Sequence, residues 1–130
     1  MANEIIEKEL SFQIMKAAYE VHNLLGPGFL ESIYEAAMTK ELSSQGLHVE
    51  NQVRIPVFYK GQPIGEHILD IVVNNKVIIE LKAATEIIPI HKQQAISYLK
   101  ASGLPLAIVI NFGAKRVESE RLVNTRSFSK

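Results

Sequence analysis

Three charges interrupt the most apolar stretch of the chain. Residues 68–82 read Ile-Leu-Asp-Ile-Val-Val-Asn-Asn-Lys-Val-Ile-Ile-Glu-Leu-Lys. Two β-branched runs flank Asn74-Asn75-Lys76, which is the composition and turn chemistry of a β-hairpin. Asp70 falls in the first run, Glu80 and Lys82 in the second. Side chains alternate along a strand, so Glu80 and Lys82 share one face with Ile78, and Ile79 and Leu81 take the other. An unpaired charge in such surroundings costs on the order of several kcal/mol, so these three need partners or a bound ion.

Whether Asp70 reaches Glu80 depends on register. A two-residue loop at Asn74-Asn75 pairs Val73 with Lys76, and Asp70 then points away from Glu80. A three-residue loop pairs Val73 with Val77 and sets Asp70 opposite Glu80. The common three-residue hairpin ends on a left-handed residue, here Lys76, where Gly or Asn is more comfortable. A bulge in either strand also corrects the parity. Facing carboxylates repel unless a cation lies between them. The plainer alternative leaves Asp70 in water by the turn and makes Glu80–Lys82 a surface pair worth little.

Two further groups carry chemistry. Gly28-Phe29-Leu30-Glu31-Ser32-Ile33-Tyr34 marks a corner, with Glu31 in a first helical turn where exposed amides favour a carboxylate. His91, Gln94 and Tyr98 are spaced by three and four, on one face of a helix. A helix face that packs on a sheet seldom carries three polar groups. The plainer readings are a helix-dipole carboxylate, a core tyrosine with its hydroxyl at the rim, and satisfied boundary residues.

The elements that must position these residues follow from periodicity and turn signals. Residues 3–25 form an amphipathic helix with Leu10, Ile14, Ala17, Val21 and Leu24 on one stripe. Gly26-Pro27-Gly28 stops it. A second helix, 30–44, buries Ile33, Ala37, Met38 and Leu42 and closes at Gly46. Strands follow at 48–59, 64–73 and 77–83, with Pro56 marking the first as an edge or a bulge. A helix begins near Pro89 and runs to Ala101, ending at Gly103. Residues 106–112 are a continuous apolar run, expected to be covered on both faces, and 117–123 form one more edge strand. The order α-α-β-β-β-α-β-β makes an α/β (α+β) fold with a mixed central β-sheet flanked by helices.

Bulk composition narrows the class. The chain has 130 residues, 47% of them hydrophobic, enough for one domain with a real core. The expectation is a single domain over 1–130, with 1–9 and 124–130 as frayed ends. No apolar run reaches the roughly 20 residues of a membrane span, so no membrane partner is expected. The acidic start lacks the form of a signal peptide, and there is no Cys, which suits a cytoplasmic protein. Net charge is zero, but its distribution is uneven. Residues 1–75 hold five Lys or Arg against ten Asp or Glu, and residues 76–130 hold nine against four. If several of the later cations share a face, they form a phosphate-tracking surface.

Taken together, Asp70, Glu80-x-Lys82 and Gln94-x-x-x-Tyr98 resemble the PD-(D/E)XK nuclease superfamily. Its plan places Asp on the second core strand and Glu-x-Lys on the third, and the Gln-x-x-x-Tyr resembles the variant of RecB-type and lambda-exonuclease-type nucleases. Gly28-x-x-Glu31-x-x-Tyr34 is similar to the small prokaryotic GxxExxY proteins of that superfamily. The resemblance runs from about Leu10 to Val123. One departure is Leu69, where a Pro often precedes the Asp.

The resemblance implies a restriction-endonuclease-like core and a nuclease acting on nucleic acid, DNA ahead of RNA. Asp70 and Glu80 would hold Mg²⁺ or Mn²⁺, which prefer hard oxygen ligands, with the Leu81 carbonyl and Glu31 completing the set. Lys82 would position the attacking water, and Gln94 and Tyr98 would hold the lysine, the water or the nucleic-acid backbone. The competing expectation is a nuclease fold kept as a non-hydrolytic binding or regulatory module, acting as a homodimer.

Overall fold

A computed structural model describes residues 5–124. The elements are α1 (Lys8–Leu25), α2 (Glu31–Ser44), β1 (Val49–Tyr59), β2 (Gln62–Val73), β3 (Val77–Lys82), α3 (Pro89–Ser102), β4 (Leu106–Asn111) and β5 (Glu118–Val123). That is the expected order. The five strands form one sheet in chain order. β1/β2, β2/β3 and β4/β5 are antiparallel, and β3/β4 is parallel. A parallel pair cannot be joined by a tight turn, and α3 supplies the crossover.

Helices cover both faces of the sheet. Ile71, Val73, Ile79, Leu81, Ile108 and Ile110 pack with α1 and α2. Val72, Ile78, Ala107 and Val109 pack with Ala95 and Leu99 of α3. Every residue of β4 is therefore buried, as its unbroken apolar run requires. β1 lies at the sheet edge, where the missing N–H of Pro56 is tolerated.

The helical stripes differ from expectation near the corner that joins α1 and α2. α1 buries Leu10, Ile14, Ala17, Ala18 and Val21, but Leu24 is exposed and His22 is buried instead. α2 buries Tyr34, Met38 and Leu42, with Ala37 half-buried, while Ile33 faces solvent. One residue is about 100° of helix rotation, so a one-position error swaps an inward side chain for an outward one. The corner between α1 and α2 explains the choice. The Tyr34 hydroxyl donates to the Gly26 carbonyl at 2.6 Å and accepts from the Phe29 N–H at 3.2 Å. Its ring stacks on Phe112, with centroids 4.6 Å apart.

Of the ends expected to fray, residues 1–4 and 125–130 lie outside the described residues. α1 begins at Lys8, later than position 3. Asn124 is not frayed: it is buried, and its side-chain amide donates to the carbonyls of Leu99 and Leu104, both at 2.9 Å. An amide that bridges two backbone acceptors fixes the chain there.

Candidate functional site: a strand fork bearing Asp70, Glu80 and Lys82

The hairpin register follows from the turn. Ile71 pairs with Ile79, Val72 with Ile78 and Val73 with Val77, which is the three-residue loop. The left-handed residues are Asn74 and Asn75 (φ 52° and 54°), not Lys76. Asparagine tolerates that conformation better than lysine. The Lys76 N–H closes the turn on the Val73 carbonyl at 3.0 Å. Asn74 is also tied to the start of β1, since its Oδ1 accepts from the His48 N–H at 2.8 Å.

Beyond the Ile71–Ile79 pair, β2 and β3 part. Asp70 and Glu80 are the first residues past the end of the ladder. The fork has a local cause in β2. Leu69 packs under α3, whereas Ile71 packs under α1 and α2. Regular alternation would put both on one face, so the strand turns over at Asp70. Across from Asp70, Gln52 in β1 is left-handed (φ 52°), between the Asn51–Ile71 and Val53–Leu69 pairs. A non-glycine residue there stores strain of about 1 kcal/mol or more, the kind concentrated at functional sites.

Side chains take over the hydrogen bonds that the ladder gives up. Asp70 Oδ2 accepts from the Leu81 N–H at 2.9 Å. The backbone N–H of Asp70 in turn faces the Glu80 carboxylate and favours its charged form. Since a residue's N–H and C=O point the same way along a strand, the Leu81 carbonyl also faces the fork. Asp70 and Glu80 are thus cross-linked through each other's strands.

The electrostatics are tense. Glu80 is 6% exposed, and among the described residues its buried Oε1 has no hydrogen-bond partner. Burial, then the Asp70 charge, pushes the Glu80 carboxyl up to about 8, against the pull of Lys82. Asp70 is also raised, chiefly by burial, while its bond from Leu81 opposes the shift. The two carboxylates cannot both be ionised cheaply at neutral pH in this state.

The α3 side of the fork carries the rest of the expected set. Lys82 Nζ lies 3.4 Å from Gln94 Oε1. The Tyr98 hydroxyl is pushed up to about 12 by burial and by the charges of Glu80 and Asp70, which places it in the same cleft. Its ring meets His67 edge-on at 4.6 Å. His91 caps α3, its Nδ1 accepting from the Ile88 N–H at 3.2 Å. Slight burial and the nearby Lys82 charge lower the His91 pKa.

Glu31, expected as a further metal ligand, is exposed in the first turn of α2. Glu35, one turn later, is the carboxylate that raises both. Glu35 is held by Gln52 Nε2 at 2.8 Å and Asn51 Nδ2 at 2.9 Å, and Gln52 also favours the charged form of Asp70. Sequence reasoning missed Glu35 and Gln52. The four-residue offset from Glu31 was a usable signal for Glu35, because both lie on one helix face. No signal marks Gln52.

It also missed Asn111. This fully buried side chain accepts from the N–H groups of Ala84 (2.9 Å) and Gly113 (3.1 Å). It donates to the Ala84 carbonyl (2.9 Å) and to Glu118 Oε1 (3.0 Å). Glu118 Oε1 in turn accepts from the Ile87 N–H at 3.1 Å. The connection from Lys82 to α3 is therefore clamped from below. Gly113 lies so close that a Cβ there would meet the Ala84 carbonyl oxygen at 2.3 Å.

The donor set fits a hard divalent cation. Among the described residues no group of three or more His, Cys, Asp and Glu side chains could enclose a metal ion. Two carboxylates, one with a buried oxygen left unbonded among the described residues, and a backbone carbonyl suit an ion that keeps several waters, as Mg²⁺ does.

A mixed sheet of this order, with α1 and α2 on one face and α3 on the other, is a restriction-endonuclease-like core. The chain belongs to the PD-(D/E)XK nuclease superfamily, whose family model matches residues 8–122. Two solved structures share its fold. One is the crystal structure of SSO0001, at TM-score 0.57 and 16% identity, covering 71% of this chain and 48% of that one. The other is an alkaline exonuclease (LHK-Exo) from Laribacter hongkongensis, at TM-score 0.52 and 12% identity, covering 75% of this chain and 58% of that one. The chain thus spans about half the length of these structures. No curated protein matches it. No described helix is long and apolar enough to cross a membrane.

Proposed function

We propose that this chain is a Mg²⁺- or Mn²⁺-dependent nuclease that hydrolyses phosphodiester bonds, of DNA ahead of RNA. Within the superfamily, Gly28, Glu31 and Tyr34 support placing it with the GxxExxY proteins. The observation that carries the reading is the fork itself: Asp70 and Glu80 converge there, and Glu80 keeps a buried oxygen that no group among the described residues satisfies. That oxygen calls for a cation.

Asp70, Glu80 and the Leu81 carbonyl would hold the ion. When bound, it supplies charge neutralisation at the scissile phosphate and makes a water more acidic. Lys82, steadied by Gln94 Oε1, orients the attacking water and offsets charge on the phosphate oxygens. Tyr98 keeps its proton at any physiological pH and so acts as a hydrogen-bond donor to a phosphate oxygen. Gln52, anchored by its bond to Glu35, steadies the charged form of Asp70 from the β1 side.

A cleavage panel tests this, using single- and double-stranded DNA and RNA with Mg²⁺ or Mn²⁺, beside Lys82→Ala. Wild type should cut DNA, and Lys82→Ala should cut roughly 10²-fold more slowly or worse. A wild type that cuts nothing and binds no divalent ion at millimolar concentration would instead be the non-hydrolytic homodimeric module.

A further inference from the structure

A second cleft lies between α1 and the loop that follows β4. Lys82 pairs with Asn111, and the Phe112 N–H donates to the Lys82 carbonyl at 2.9 Å. The chain then crosses towards α1 as the β4–β5 loop. There it walls a cleft of about 450 Å³ with Tyr19, His22, Asn23, Lys115, Arg116 and Val117.

The loop is anchored at every residue except its cations. Gly113 presses on the Ala83–Ala84 backbone, and its N–H is held by Asn111. The Ala114 carbonyl accepts from His22 Nε2 at 3.0 Å. His22 is buried and stacks against Phe112 at 6.3 Å. Lys115 and Arg116 are left exposed and consecutive, and among the described residues neither has a carboxylate within ion-pair distance. Two exposed cations lie beside the side-chain amide of Asn23 and the hydroxyl of Tyr19, both of which can donate to an anion. No carboxylate lines the cleft.

We infer that this cleft binds a phosphate group of the nucleic-acid strand, distinct from the one cleaved, through Lys115 and Arg116. The inference rests on the nuclease reading, because a nucleic-acid substrate is what makes phosphate the fitting anion. The site positions substrate across the ends of β3 and β4 and takes no part in the chemistry. The phosphate is either internal to the strand or at its terminus.

Fluorescence anisotropy of a labelled single-stranded DNA, in EDTA to prevent cutting, tests the inference. Wild type is compared with Lys115→Ala/Arg116→Ala and with a control of equal charge loss, Lys8→Ala/Lys40→Ala. The cleft variant should bind about tenfold more weakly, and its slope of log affinity against log salt should be shallower by about 1.4, two contacts at about 0.7 each. The control should keep nearly the wild-type slope. Melting temperature and Mn²⁺ affinity by calorimetry should match wild type for both variants. A terminal site makes wild type prefer a 5′-phosphorylated strand to a 5′-hydroxyl strand, with the preference lost in the cleft variant. An internal site makes the two strands equal.

A cleft variant with wild-type affinity and slope overturns this inference alone, as does a control that loses as much. Wild type that binds no strand even at low salt overturns the nuclease reading along with it.

Discussion

Glu80 offers the sharpest test, because its environment converts directly into a pH dependence. The group titrates at about 8 in the fold, against 4.5 when unperturbed. Between those values the folded chain holds a proton that the unfolded chain has released. Stability from this group is therefore present at acid pH and lost as pH rises towards 8. A one-unit spread about that value gives a loss of roughly 2–4 kcal/mol between pH 5 and pH 8. Asp70, Lys82, Glu35 and Tyr98 all face or act on the same cleft, so the raw wild-type curve mixes several titrations. Glu80→Gln keeps the shape and removes the ionisation, and the difference between the two proteins isolates it. Urea unfolding in EDTA at pH 5 and pH 8 should show the variant gaining on wild type by that amount at the higher pH. Saturating Mn²⁺ at pH 8 should then favour wild type, because the cation offsets the paired charges and displaces the proton. If the wild-type-minus-variant difference stays flat from pH 5 to pH 8, Glu80 is not held in the environment described.

Other expectations follow from the same contacts. Asp70→Ala removes a proposed ligand and strips the Leu81 N–H of its acceptor, so calorimetry should show Mn²⁺ binding lost or weakened by at least tenfold. Glu35→Gln should weaken Mn²⁺ binding severalfold by removing a negative charge that acts on Asp70 and Glu80, whereas Glu31→Gln should match wild type. The reverse ranking would place Glu31 at the site. Tyr34→Phe leaves the Gly26 carbonyl and the Phe29 N–H short of a partner, at a cost of about 1–3 kcal/mol in urea unfolding. An unchanged midpoint would mean that water replaces the hydroxyl.

The fold was legible in the sequence because its elements are marked by punctuation and by period. Gly26-Pro27-Gly28, Gly46, Gly103 and the Asn74-Asn75 turn each stand at an element boundary. The apolar run at 106–111 announced a doubly covered strand. Asp70, Glu80 and Lys82 were legible for a different reason, as charges where chain chemistry disfavours them. What could not be read was anything set by the third dimension. Glu31 and Glu35 are both carboxylates on the same helix, and only the packing of α2 across β1 decides which one meets Gln52. Gln52 and Asn111 carry no sequence mark, since Asn and Gln are ordinary on strands and their work is to satisfy backbone groups of distant segments.

The fork explains why the site sits where it does. An unbroken β2/β3 ladder would satisfy the backbone through Asp70 and Glu80 and leave their carboxylates with no role in strand pairing. By ending the ladder at Ile71–Ile79, the chain makes the Leu81 N–H depend on Asp70, and the Asp70 N–H faces Glu80. The carboxylates then become part of the sheet's own hydrogen bonding and are held as firmly as backbone. Oriented in this way they cannot relax away from each other, which is why Glu80 remains raised and its Oε1 unsatisfied among the described residues. The strain at Gln52 and the repulsion between the acids are two parts of one arrangement, which costs the fold stability and preforms the cation seat we propose.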